Sequence, residues 1–407
     1  MATPTHRPRL AVISPFVDKS HGSERIMLEW LSRLSDSHEI HFYSQRVEDA
    51  DLSRFVWHRI PKLSLPHLLD FLWWLAVCRI WVGWRNRFSG ARHDLILSSG
   101  ANYPGADVIC VHIVFAEYVE RVRPDMKLLR NSIWDWPRLI HRKLYYGLAL
   151  SLENRAYRNQ GTVLVVNSKK SARELERYYG REDTIPVVRP GIDHSVFNPQ
   201  MRALLRERAR NELGLTSEEF AIILVGNDWL NKGAGVLLQA LERLRNLPIR
   251  LLIVSREVSQ HWDRLIDEKG LRARVRPLAP RRDIEFYYAA ADACAAPSLQ
   301  DAYSMPPAEA MACGLPVIVS AAAGVSEIVT DREDGLILAD PRDASSLATM
   351  IQRLYEDVDS RRRLGERAAE TSRMYTWESG ADELAAILDD VLRRKSSAAT
   401  QTLTQEP

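Results

Sequence analysis

The chain lacks the features that would place it in several large protein classes. Nowhere do about 20 consecutive apolar residues run without a charge, the length that a membrane-spanning helix requires. Residues 1–9 are polar and proline-rich, not a basic stretch followed by an apolar core, so no secretory leader is expected. Cysteine is scarce: Cys78, Cys110, Cys294 and Cys313 make four, each within apolar sequence and none at the paired spacing of a metal site. They read as buried, reduced thiols, which points to a cytoplasmic protein. A surplus of either charge is missing too, and a net charge of +2 does not by itself indicate a nucleic-acid partner. What remains is a chain of 407 residues, 46% hydrophobic and 27% charged, long enough for two domains with cores of their own.

Short apolar runs alternate with helical patterns along both halves. Residues 10–14 form a buried strand that leads through a polar loop to helical spacing from Ile26, and 39–43 form the next strand. This is a strand–loop–helix–strand unit of the doubly wound kind, whose ligand crevice lies at the carboxyl ends of its strands. Further strands are expected at 94–98, 107–114 and 162–166, with Asn167-Ser168 capping a helix to Tyr179. His112 falls within the 107–114 run, where a lone histidine reads first as a satisfied core residue. The second half repeats the alternation, with strands at 221–226, 251–255, 275–278, 293–296 and 317–319. The pattern predicts an α/β fold of two doubly wound, Rossmann-like parallel-sheet lobes.

Residues 297–320 read as strand end, tight loop, short helix, glycine stop and strand. Pro306 and Pro307 suit the first turn of a helix, and Gly314 suits its end. Asp301 and Glu309 bracket the loop with seven residues between them. Backbone N–H groups and the helix dipole attract phosphate at such a terminus, and carboxylates accept hydrogen bonds from sugar or ribose hydroxyls. The same residues also read as a capped helix between core strands, with its acids solvated.

This stretch resembles the acidic-x7-acidic signature of the family 4 retaining glycosyltransferases, also called glycosyl transferases group 1. The run Glu309-Ala-Met-Ala-Cys-Gly-Leu-Pro-Val317 matches at length. Asp301 stands where the family prefers Glu, and Ala302 and Ser304 replace two glycines. The resemblance covers nearly the whole chain, strongly over 185–335 and weakly over 40–160. It implies a GT-B fold, two lobes facing a central cleft, and transfer of a sugar from a nucleotide-diphosphate donor to a hydroxyl of a glycan or lipid-linked acceptor, with retention of configuration. Carried over residue by residue, it puts Glu309 on the ribose hydroxyls, Asp301 on the transferred sugar and Lys232 on the donor diphosphate. Gly226, Asn227, Tyr303, Ser304 and Met305 complete the expected donor pocket. Asn227 replaces an arginine that follows the glycine in relatives; Arg256, Arg281 and Arg282 are the cations available to compensate. In the first half, Gly22-Ser23-Glu24-Arg25 matches a glycine-rich loop facing phosphates and acceptor, though alone it reads as a plain turn capping a helix. His112 matches an active-site histidine that orients the acceptor and is not a nucleophile. No metal and no cofactor besides the nucleotide sugar is implied, and Asp357-Val-Asp359 reads as solvated surface.

Residues 184–199 resemble the family's interdomain segment and retain Gly191 and Asp193. The expected division is an acceptor-side domain at 1–185, a donor domain at 186–374, a crossover helix at 375–395 and a tail at 396–407 too polar to fold alone. Two other classes share these features: a sugar-nucleotide epimerase, and a catalytically weak nucleotide-sugar-binding protein suggested by Asn227, Ala302 and Ser304.

Two segments bear on membrane contact. Residues 68–84 are the most hydrophobic, interrupted by Asp70 and Arg79. They form either a core helix or an interfacial face carrying Trp73, Trp74, Trp81 and Trp84, with Arg85 and Arg87 near lipid headgroups. Residues 121–158 carry nine basic against three acidic side chains, interleaved with Trp134, Trp136, Tyr145 and Tyr146. They form either a solvated face or a surface for anionic lipid on the inner side of the plasma membrane. Nucleic acid is not expected, since no recognised binding module accompanies the charge.

Overall fold

A computed structural model describes residues 7–19, 21–64, 66–88, 92–122, 136–257 and 260–403. The chain divides into two compact units, one of Met1–Gly191 with Trp377–Pro407 and one of Ile192–Thr376.

The first unit is built on β1 (Arg9–Ile13), β2 (Phe16–Val17), β3 (Glu39–Ser44), β4 (Arg46–Val47), β5 (Phe55–Arg59), β6 (Leu95–Ser99), β7 (Val108–Val111) and β8 (Val163–Val166). Six of these form a sheet in the order β5-β3-β1-β6-β7-β8, and β2 pairs with β4 alongside. Among the described residues these strands pair in parallel. Helices α1 (Gly22–Leu34), α2 (His67–Phe88), α3 (Phe115–Val122), α4 (Trp136–Tyr157) and α5 (Lys169–Tyr179) connect them. Leu10, Ala11, Val12 and Ile13 are all buried, as expected of a parallel strand covered on both faces, which reads as a continuous apolar run.

The second unit holds β9 (Phe220–Val225), β10 (Ile249–Val254), β11 (Val275–Leu278), β12 (Ala293–Ala296), β13 (Val317–Ser320) and β14 (Leu336–Leu338). They form one parallel sheet in the order β11-β10-β9-β12-β13-β14. Its helices are α6 (Pro199–Glu212), α7 (Ala234–Arg243), α8 (Gln260–Glu268), α9 (Glu285–Ala290), α10 (Met305–Ala312), α11 (Ala344–Glu356) and α12 (Val358–Ser372). Strand order reverses direction between β9 and β12 here, and between β1 and β6 in the first unit. Such switch points open a crevice at the strands' carboxyl ends.

Several expectations shift. The division falls between Gly191 and Ile192, not after residue 185, because the intervening residues still lie along β8: Val188 N–H donates to Val166 O (2.9 Å) and Val166 N–H to Pro186 O (3.0 Å). Ile192 pairs instead with the segment at Tyr375–Thr376, its N–H donating to Tyr375 O at 3.0 Å. The last helix, α13 (Trp377–Leu403), belongs to the first unit and packs on α1. It runs past residue 395, so the tail expected at 396–407 is helical as far as Leu403. Once the buried Leu384, Leu388 and Val391 anchor the helix, each added residue gains a hydrogen bond without a new nucleation cost, and Ala398 and Ala399 favour it.

The strand expected at 107–114 stops at Val111, which places His112 in the loop that follows. Helix α1 begins at Gly22, not near Ile26, so Gly22 and Ser23 form its first turn and not a free loop. Asp357 caps α12 by accepting from Ser360 N–H (2.8 Å), and Asp359 pairs with Arg362 on the exposed face.

Helix α2 is neither simply core nor simply interfacial. Trp74, Leu75, Val77, Cys78 and Val82 are buried, while Leu69, Trp73, Ile80 and Trp84 lie exposed along the opposite side. Trp74 therefore belongs to the core. Of residues 121–158, 123–135 lie outside the described residues, with Arg123, Asp125, Lys127, Arg130, Trp134 and Asp135 among them. Tyr146 is buried and packs edge-on against Tyr118, with ring centroids 5.9 Å apart. Among the described residues no helix is long and apolar enough to cross a membrane, and all four cysteines are buried thiols.

Candidate active site

In the second unit the loops after β9 and β12 leave adjacent parallel strands and bind each other. Leu299 N–H donates to Asn231 O at 2.7 Å, and the Asn231 side-chain amide donates to Gln300 O at 2.9 Å. Gly233, at φ +78°, passes so close that a Cβ would run into the Pro297 carbonyl, which leaves glycine as the one residue that fits. Lys232 is thereby held against the second loop, and its Nζ donates to Asp301 Oδ2 at 2.5 Å, with both side chains largely covered. Gly226 serves the same end. At φ +146°, a Cβ there would lie 2.9 Å from Lys232 Cε, so the lysine stem lies flat across it.

A third loop, after β13, closes over the second. Gly324 N–H donates to Asp301 O (3.0 Å) and Val325 N–H to Tyr303 O (2.7 Å). Tyr303 is buried, and Ser304 leads into α10 with φ 78° and ψ 91°. Met305 is the first residue of α10, followed by Pro306 and Pro307. Proline has no N–H, so the anion-binding capacity expected of this terminus rests on the Ser304 and Met305 amides. Glu309, one turn further on, is buried and accepts from the hydroxyl of Tyr288 at 2.9 Å. Burial, reinforced by the Glu309 charge, pushes the Tyr288 hydroxyl well above its ordinary range, so it stays a protonated donor.

Asn227 is in the expected place but faces elsewhere. Its Oδ1 accepts from Arg256 N–H (2.9 Å) and from Ser255 Oγ (3.3 Å), which ties the loop after β9 to the loop after β10. Arg281 is committed to Asp283 through two bonds of 3.0 and 2.8 Å and lies over the Phe286 ring at 4.0 Å.

The first unit carries the remaining expected residues at the carboxyl edge of its own sheet. Ser23 Oγ donates to Glu24 at 2.5 Å. The turn before Gly22 is fixed by Asp18, whose buried carboxylate accepts from His21 N–H (3.1 Å) and from Arg46 (2.9 Å). His112 Nδ1 lies 3.2 Å from the Asn167 side-chain nitrogen, at the end of the neighbouring strand β8. An amide NH2 donates only, so Nδ1 accepts and the neutral ring carries its proton on Nε2. That Nε2 is covered and has no hydrogen-bond partner among the described residues. Burial pushes the imidazole down to about 4, so it is uncharged at neutral pH.

Position along the sequence did not reveal Asp18, Tyr288 or Asn231 as supports. Their sole signal is a polar side chain near the end of an apolar element, which many surface residues share.

Among family models, one described as Glycosyltransferase Family 4 matches residues 20–196, and one described as Glycosyl transferases group 1 matches 219–357. Among curated proteins, the chain is 35% identical over 236 residues to a D-inositol 3-phosphate glycosyltransferase of Xylanimonas cellulosilytica, covering 56% of this chain and 55% of that protein. It is 31% identical over 291 residues to the protein so named from Corynebacterium aurimucosum, covering 65% and 68%. With the Xylanimonas protein, and with its namesake in Thermomonospora curvata (56%), the chain spans just over half of the relative's length. Among solved structures, WaaG, a glycosyltransferase involved in lipopolysaccharide biosynthesis, superposes with a TM-score of 0.78 at 20% identity, covering 93% of this chain and 99% of that one. Anabaena HepE, solved in complex with UDP and glucose, gives 0.68 at 19% identity, covering 94% and 100%.

Proposed function

The chain belongs to the family 4 (group 1) glycosyltransferases and has the two-lobed GT-B fold, and from that premise we propose that it is a retaining enzyme. It moves a sugar from a nucleotide-diphosphate donor to a hydroxyl of a glycan or lipid-linked acceptor. One observation carries this reading: the Lys232–Asp301 pair sits at the switch point between β9 and β12, beside the first turn of α10. Leaving-group departure develops negative charge on the diphosphate. The Lys232 ammonium and the Ser304 and Met305 amides are fixed donors for that charge, and preorganised donors of this kind dominate such catalysis. In this reading no metal is invoked. Asp301 serves the transferred sugar and Glu309, braced by Tyr288, the ribose. His112 offers an uncharged Nε2–H to a sugar oxygen on the acceptor side. Anabaena HepE, which shares the fold, is solved with UDP-glucose, and a donor of that class is the one proposed.

The reading is tested by screening nucleotide sugars for stabilisation of the folded chain, then assaying transfer with the sugar that binds. Lys232→Ala is expected to lower turnover by about 10²–10³-fold, the loss typical of one preorganised donor, with the unliganded fold intact. Wild-type turnover in that variant would refute the role.

Contact with a membrane belongs to the same proposal. The exposed side of α2 carries Leu69, Trp73, Ile80 and Trp84, with Arg79, Arg85 and Arg87 on the same helix. Apolar and aromatic residues with basic neighbours suit the interface of an anionic bilayer. Such seating fits an acceptor that is itself lipid-linked, at the cytoplasmic face of the plasma membrane.

A further inference from the structure

In the donor reading above, the diphosphate meets one fixed cation, Lys232, and the arginine that the family resemblance implies after Gly226 is replaced by Asn227. Lys232 is a point charge already shared with Asp301, whereas an arginine would offer a planar fork that binds phosphate through two bonds. Asparagine at 227 has no charge to offer. Its side chain, however, is not idle, because its Oδ1 holds the backbone N–H of Arg256 at 2.9 Å.

The same short turn is pinned from its other side. Ser255 Oγ donates to Asn227 Oδ1 at 3.3 Å and accepts from Glu257 N–H at 2.9 Å. The Glu257 carboxylate accepts from Trp229 N–H (2.8 Å) and Trp262 Nε1–H (3.2 Å). Arg256 therefore stands on a fixed backbone immediately beside the Gly226–Asn227 step across which the Lys232 stem lies. It follows β10, the direct sheet neighbour of β9. Its side chain is exposed, and among the described residues its guanidinium has no ion pair or hydrogen bond. The other candidates sit less well. Arg281 and Arg282 follow β11, at the edge of the sheet one strand further away, and Arg281 is already bound to Asp283.

We propose that Arg256 supplies the guanidinium for the donor diphosphate in place of the arginine missing at 227, with Asn227 as the positioning residue that aims it. This rests on the nucleotide-diphosphate donor reading above.

The test is calorimetric titration of the full chain with UDP, GDP and ADP and with their monophosphates. Arg256→Ala is expected to weaken the diphosphate that the wild type binds by about tenfold or more, as for loss of a charge-assisted bidentate contact. The corresponding monophosphate should change by less than about threefold, because the lost contact is to the distal phosphate. Asn227→Ala should weaken the diphosphate as well, but add little in the Arg256→Ala background, as coupled neighbours do. Adding Asn227→Arg to Arg256→Ala should recover most of the affinity. The thermal midpoint of the unliganded Arg256→Ala chain should match the wild type. Diphosphate binding unchanged in Arg256→Ala would overturn this assignment and leave the donor reading standing. Failure of the wild type to bind any of the three diphosphates would overturn both.

Discussion

At the scale of single residues, Ser304 shows what the departure from two glycines costs. Its φ of 78° lies where side chains with a Cβ are disfavoured, so a glycine at this step has a backbone reason. Ala302 is not among the positive-φ residues, and its replacement of the other glycine carries no such strain. Strained non-glycine residues of this kind cost of order 1–3 kcal/mol, of which glycine's extra freedom in the unfolded chain returns a part. Ser304→Gly should therefore stabilise the second unit by about 1 kcal/mol, read as a rise in its thermal midpoint. An unchanged or lowered midpoint would show that the serine side chain contributes more than its backbone strain costs. His112 illustrates the reverse dependence, since its identity alone could not show which nitrogen carries the proton. Asn167, 55 positions further on, decides that.

Among the elements, α2 is unusual in being apolar on both sides. A helix of this kind is usually buried all round or placed in or on a membrane, and here one side packs on the sheet while the other faces outward. The full chain should sediment with vesicles containing phosphatidylglycerol and much less with neutral phosphatidylcholine vesicles. Binding should weaken as salt rises, because the basic contribution is screened. Replacing Ile80 and Trp84 together by serine should remove most of the binding while leaving the fold intact, as both are exposed. Wild-type chain that stays in the supernatant with both vesicle types would sink the membrane reading. The shortness of α10 follows from its sequence: two prolines shape its start, and Gly314, at φ +72°, follows its end.

For the molecule as a whole, acid sensitivity is set by buried and half-buried histidines. Burial pushes His112 and His58 down to about 4 and His93 down to about 3. His41, His58 and His93 also lie together, with His41 Nδ1 2.9 Å from His58 Nε2 and Tyr43 OH 3.4 Å from His93 Nε2. For each, the unfolded chain takes up a proton near 6.5 that the folded chain refuses, so stability falls as pH drops from about 6.5 toward 4. Glu153 acts in the opposite sense. Its carboxyl, pushed up to about 7 by burial, contributes stability that is present at low pH and lost as pH rises from 4.5 through 7. Burial also lowers His38 and His41 and raises Glu285 and Glu383, so five histidines stand against three carboxyls and leave a net loss on acidification. The thermal midpoint should fall by at least about 5 °C between pH 7 and pH 5. A flat or rising profile over that range would mean that the histidines are solvated.

Much of this protein was legible in the order of its residues. Continuous apolar runs such as Leu10–Ile13 and Val317–Val319 specify strands buried on both faces, and the spacing of glycine, proline and acid in 297–317 specifies a short helix and its loop. Those are local properties, set by period and by backbone permission, and a linear chain displays them. Contacts between distant segments are not displayed. That Lys232 meets Asp301, that Tyr288 braces Glu309, and that Asn227 turns away to hold Arg256 depend on which strands become neighbours in the sheet. The same holds for the end of β7 before His112 and for the helix that continues to Leu403, where the packing of other elements decided the outcome. Sequence alone determined the elements and the chemical types at the site. Tertiary structure decided the pairings, because a hydrogen bond or ion pair acts over about 3 Å in space and is indifferent to separation along the chain.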